Sequence, residues 1–243
     1  MTRAGLFAMV LALVGSAECR QKIPLQIGPG CRIVAIGDSI TQAGGYLRAI
    51  DAVLAQQYPE LKVQPIINAG ISGQKAEDLI KRFDKDVVQR APAIVTINIG
   101  INDVWHRLDK PHDPQVLAAY EANLERMVKM AQAAGIKVLL VSPTVIDENP
   151  ASEGNKRLAK YVAAGQGVAK RCGCGYVDLH ALFLKAVAAH KKDHPDAGPK
   201  GFLTNDGVHM LPPGDALMAV GILRALGVPD EKIKATDLSK VFK

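Results

Sequence analysis

In RIVAIGDSITQ, residues 32–42, the four consecutive apolar positions Ile33, Val34, Ala35 and Ile36 end at Gly37 and give way to Asp38 and Ser39. An unbroken, β-branched run closed by glycine is the pattern of a strand buried on both faces; a strand with one wet face would alternate. Strands of that kind sit in parallel sheets covered by helices, and a helix does follow. Residues 45–58, GYLRAIDAVLAQQY, place Leu47, Ile50, Val53 and Leu54 at helical spacing before Pro59 stops them.

The same alternation recurs downstream. KVQPIINAG (62–70) reads as a strand, KAEDLIKRFDKDVVQR (75–90) as a helix, AIVTINIG (93–100) as a strand, and PQVLAAYEANLERMVKMAQAAG (114–135) as a long helix closed by Gly135. KVLLVSP (137–143), a helical stretch near 153–171, GYVDL (175–179) with HALFLKAVAAHKK (180–192), and a closing helix PGDALMAVGILRAL (213–226) complete the order. Strands each followed by a helix predict an α/β protein with a five-stranded parallel sheet and helices on both faces, because parallel neighbours need crossover connections and these are right-handed. No repeat and no Pro/Ser-rich linker interrupts 32–228, so that stretch is expected to form one domain. Residues 18–31 are then an N-terminal extension and 229–243 a C-terminal tail, of which the last stretch, DLSKVFK (237–243), is expected to be loosely held.

Composition agrees. Of 243 residues 48% are hydrophobic but only 5% aromatic, a balance that suits helices on a buried sheet better than a Tyr- and Trp-rich sandwich. Arg3, the apolar run from Leu6 to Val14, and Gly15, Ser16 and Ala17 have the order of a secretory signal peptide, with cleavage expected after Ala17. The run is too short to span a bilayer, so a secreted or periplasmic protein without stable membrane insertion is expected. Cys19 follows Glu18 where a lipoprotein cysteine would follow a small residue, which argues against lipidation. Cys19, Cys31, Cys172 and Cys174 lack zinc-ligand spacing and read as structural disulfides or buried thiols, with the pairing open. The net charge of +6 comes from lysines dispersed among acidic residues, so no nucleic-acid partner is expected. Oligomeric state has no signature.

Ligands of open parallel sheets bind beyond the carboxyl ends of the strands. That rule selects residues 37–41, 68–72, 100–105 and 142–145. Ser39 lies in the first group, although Asp and Ser are also ordinary cap and turn residues. Neither a dinucleotide fingerprint nor a P-loop lysine follows, so a nucleotide is not expected. A serine nucleophile needs a base and the base an orienting group. Of the six histidines, His209 stands out because TNDGVHM places Asp206 three residues before it in the long irregular stretch of about 192–213. His190 and His194, at i and i+4, could face one metal ion but sit among lysines. NAGISG offers the backbone N–H of Gly70 to a developing oxyanion, and GINDVW offers the Asn102 carboxamide. Asp38 and Asp103 read as turn-positioning residues, and Trp105 as either a pocket wall or a packing side chain.

Taken together, GDSIT, the glycine of NAGISG, GIND and DGVH resemble the four blocks of the SGNH hydrolases, also called the GDSL esterase/lipase family, over roughly residues 32–226. The resemblance implies a flavodoxin-like three-layer α/β/α fold and ester hydrolysis without metal or organic cofactor. It also implies Ser39 as nucleophile, His209 as general base and acid, Asp206 as its orienter, and an oxyanion hole of the Ser39 and Gly70 N–H groups with the Asn102 side chain. Ile40 stands where the family name has leucine. For an exported member the expected reaction is removal of short acyl groups, acetyl above all, from a carbohydrate. A lysophospholipase, thioesterase or general short-chain esterase is the alternative within the family, and a noncatalytic carbohydrate-binding protein the alternative outside it.

Overall fold

The computed structural model describes residues 26–242. The expected signal peptide, 1–17, Cys19 and most of the expected extension 18–31 lie outside the described residues. The strands are β1 (Ile33–Gly37), β2 (Ile67–Gly70), β3 (Ile94–Asn98), β4 (Lys137–Val141) and β5 (Gly175–Val177). Between and after them run α1 (Ser39–Ala43), α2 (Gly45–Gln57), α3 (Ala76–Asp86), α4 (Ile101–Trp105), α5 (Pro114–Ala133), α6 (Glu153–Cys172), α7 (Leu179–Asp193), α8 (Pro212–Ala225) and α9 (Asp230–Ala235).

All strand pairings are parallel, in the order β2-β1-β3-β4-β5. Right-handed crossovers put α2, α7 and α8 on one face and α3, α5 and α6 on the other, and helices within each group pack on one another. The chain reverses its direction of travel across the sheet between β1 and β3, so the loops leaving these two strands diverge and open a crevice at their carboxyl ends. β1, flanked by β2 and β3, is buried at every position, as its unbroken apolar run requires.

Two boundaries differ from the sequence reading. β2 covers only Ile67–Gly70, because Pro65 cannot donate to a ladder and β2 is an edge strand. The C-terminal tail packs on the domain: Ile233 is buried, the Lys232 ammonium donates to the Gln57 carbonyl at 2.9 Å, Arg224 grips Asp230 through two bonds of 2.6 and 2.7 Å, and within the stretch expected to be loose Leu238 is buried as well. Cys31, Cys172 and Cys174 are free thiols. Among the described residues no helix is long and apolar enough to cross a membrane.

Candidate active site

The turn after β1 is built by Asp38, which caps α1 by accepting the Ile40 N–H at 3.0 Å. Capping places Ser39 at the first helical position, where its N–H has no intrahelical partner and its hydroxyl points out of the sheet. Ser39 Oγ lies 2.9 Å from His209 Nε2. His209 Nδ1 lies 2.6 Å from Asp206 Oδ2, while Asp206 Oδ1 accepts the N–H groups of Val208 at 2.9 Å and His209 at 2.7 Å. Partial burial pushes the Asp206 carboxyl up, but the bonds from the His209 ring and the two N–H groups outweigh it and hold the pKa below the ordinary carboxylate value. An ionised Asp206 accepts from Nδ1, so the proton belongs on Nδ1 and the Nε2 lone pair faces the serine hydroxyl.

The loop carrying Asp206 and His209 has no helix or strand between α7 and α8, only a bridge of Thr204 with Met210. Its anchor is Glu148, which sequence reasoning missed. This side chain is 2% exposed and accepts the N–H groups of Phe202 at 3.1 Å, Leu203 at 2.7 Å and Thr204 at 2.6 Å, and the Thr204 hydroxyl at 2.8 Å. Beside it Asp147, in the left-handed region at φ 66, donates its N–H to the Gly207 carbonyl at 2.9 Å. The turn after β4 thus holds the loop on both sides of the Asp206 position.

Asn102 follows from the turn after β3, where Gly100 at φ 122 adopts a backbone conformation that side chains rarely take and packs tightly against the Tyr120 ring. The Asn102 carboxamide is 1% exposed and donates one N–H to the Gln74 carbonyl at 3.1 Å, which leaves its second N–H for a ligand. Gly70 stands differently from its expectation. Its N–H is donated to Asn68 Oδ1 at 2.9 Å, and a Cβ there would lie 2.2 Å from the Gln42 nitrogen. That glycine permits close packing of β2 on α1, and its donor is already committed. Three residues on, Gly73 at φ 76 is exposed, and its N–H has no partner among the described residues. It adjoins Gln74, the residue that holds the Asn102 carboxamide.

Trp105 is half-buried and stands edge-on to the His209 ring at 5.8 Å, so it borders the site while packing on the core. Asp103 accepts the Ala76 N–H at the start of α3 at 3.4 Å. Burial pushes the carboxyls of Asp38 and Asp103 up to about 7 each. Both act on turns rather than on Ser39. His190 stacks on Phe202 of the loop at 3.9 Å and lies tilted by 40° against His194 at 4.5 Å. No group of three or more His, Cys, Asp or Glu side chains is arranged for a metal ion among the described residues.

A parallel sheet of this order, with a serine after its first strand and an imidazole closing on it, defines a serine hydrolase of the three-layer α/β class. Residues 35–217 match the GDSL-like Lipase/Acylhydrolase family, and the chain belongs to that family of carboxylic ester hydrolases. It is 30% identical over 221 residues to the acetylxylan esterase of Geobacillus stearothermophilus, covering 84% of this chain and 97% of the relative. The crystal structure of Axe2, an acetylxylan esterase from Geobacillus stearothermophilus, matches with a TM-score of 0.73 at 29% identity over 84% of this chain and 98% of that one. The uncharacterized lipoprotein YqeF of Bacillus subtilis (strain 168) is 27% identical over 214 residues, covering 78% and 87% of the two chains.

Proposed function

We propose that this chain is an acetyl esterase that removes O-acetyl groups from a carbohydrate through an acyl-enzyme on Ser39. The observation that carries the reading is the aligned run Ser39 Oγ, His209 and Asp206, with separations of 2.9 and 2.6 Å. Ser39 attacks the ester carbonyl as His209 Nε2 takes the hydroxyl proton, and Asp206 stabilises the imidazolium. The tetrahedral oxyanion rests on the N–H groups of Ser39 and Gly73 and on the free N–H of Asn102; Gly73 takes the role expected of Gly70. The tetrahedral intermediate collapses as the carbon–oxygen bond to the sugar breaks and the His209 imidazolium gives its proton to the departing sugar oxygen, and a water activated by the same nitrogen then releases acetate.

The carbohydrate acetyl ester is supported by the relatives named acetylxylan esterases and by the openness of the site. The side chains of His209 and Asp206 are 35% and 41% exposed, which admits a bulky alcohol more readily than a buried acyl chain. Trp105 offers such an alcohol a flat apolar edge. Acetate release from acetylated xylan, compared with hydrolysis of 4-nitrophenyl esters of two to twelve acyl carbons, tests this. Acetyl is expected to lead, and a rate rising with chain length would favour the lipase or thioesterase alternative.

Export belongs to the same reading, on the charged, apolar and small-residue order of residues 1–17. N-terminal sequencing of protein recovered outside the cytoplasm is expected to begin at Glu18. An intact Met1 terminus retained in the cytoplasm would contradict export.

A further inference from the structure

The reaction as proposed depends on the Asn102 carboxamide standing where charge develops, yet Asn102 is held by a main-chain carbonyl in an irregular turn, residues 71–75 between β2 and α3. The turn is held at its start by the Ile71 N–H on the Gly37 carbonyl at 3.1 Å and the Ser72 N–H on Gln42 Oε1 at 2.7 Å, but at Gln74 its own main chain offers only a long bond of 3.4 Å to the Ile71 carbonyl, and a misplacement of about 1 Å can cost two decades in rate. Something must fix Gln74.

That group is Arg82, from the middle of α3. Its side chain is 13% exposed, and its guanidinium reaches three separate segments. Nε donates to Gln74 Oε1 at 2.6 Å, one terminal nitrogen donates to the Ala69 carbonyl at 2.8 Å, and the other to the Gly37 carbonyl at 3.1 Å. Asp86, one turn further along α3, balances the charge at 2.8 Å. Gly37 closes β1 two residues before Ser39, Ala69 lies in β2, and Gln74 turns its own carbonyl to Asn102 Nδ2 at 3.1 Å. A planar fork with fixed donor directions ties three points into one geometry, which a single-point ammonium cannot do.

We propose that Arg82 is the positioning residue of the oxyanion hole: through Gln74 it sets the Asn102 carboxamide in register with the strand end that presents Ser39. The proposal rests on the oxyanion role given to Asn102 above. Arg82 touches no reacting atom and acts only through these bonds, so its contribution belongs to the transition state rather than to ester binding.

The test is a double-mutant cycle on 4-nitrophenyl acetate, with each protein's active sites counted by organophosphonate titration. Asn102→Ala alone is expected to lower kcat by about 10²–10³-fold. Arg82→Gln is expected to lower kcat by about 30-fold with KM within about twofold, and to weaken a trifluoromethyl ketone inhibitor by a similar factor. In the Asn102→Ala background Arg82→Gln should cost less than about threefold more, because the two act as a unit. Gln74→Ala, which severs only the link to the turn, covers the case in which Arg82→Gln does not fold and is expected to show the same split and the same non-additivity. Full additivity, or an unchanged kcat in Gln74→Ala, overturns the proposal for Arg82 and leaves the oxyanion reading standing. An unchanged kcat in Asn102→Ala overturns the oxyanion reading itself.

Discussion

At Ser39 the difference between a helix cap and a nucleophile is made by groups far away in sequence. Asp206 and His209 are legible because a carboxyl three residues before a histidine is a compact pattern, and Asn102 because it follows a strand end. The two glycines of NAGISG were not separable, since the donor that remains free is decided by the Asn68 side chain capturing the Gly70 N–H at 2.9 Å. Asp38 carries a pH effect of its own. Burial raises its carboxyl from 3.8 to about 7, so the unfolded chain loses this proton first and ionisation favours unfolding. Stability from this group is complete below about pH 4 and falls until the pH passes about 7. Asp38→Asn keeps an oxygen for the Ile40 N–H, so its melting temperature relative to the parent is expected to rise steadily across that window. A constant difference between the two proteins would contradict the assignment.

The elements followed from apolar runs and their glycine or proline stops, and β1 to β5 all stand where those runs lie. Less legible were the turns that aim the side chains. Glu148, in DENP, has the look of an exposed turn residue, and only the return of residues 202–204 from far along the chain buries it. Glu148→Ala would strand several buried donors at about 1–3 kcal/mol each, so a loss of about 3 kcal/mol or more is expected in denaturant unfolding. Faster hydrogen exchange over residues 202–209 should accompany it. Unchanged exchange there would show that the loop has another anchor.

For the molecule as a whole, the strand order brings the loops after β1, β2 and β3 and the loop before α8 to one end of the sheet. A cavity of about 590 Å³ at the opposite end, lined by Ile94, Lys137 and Gly175, takes no part in this chemistry. The packing of the C-terminal tail was not legible because Ile233 is a lone apolar residue among charges and Leu238, Val241 and Phe242 make up too short a run to mark a core helix, while α9 finds its place only on the surface left by α2 and α8. Ending the chain at Val228 should therefore lower stability by about 3 kcal/mol, from two aliphatic side chains lost to water. An unchanged melting temperature would restore the reading of a loose tail. The claim on which the rest depends is that Ser39 forms the acyl-enzyme, and turnover of 4-nitrophenyl acetate by Ser39→Ala measures it directly. With the fold intact by circular dichroism, the expected result is a fall on the order of 10⁶-fold, to the residual rate of a site without its nucleophile; activity close to that of the parent would contradict the account.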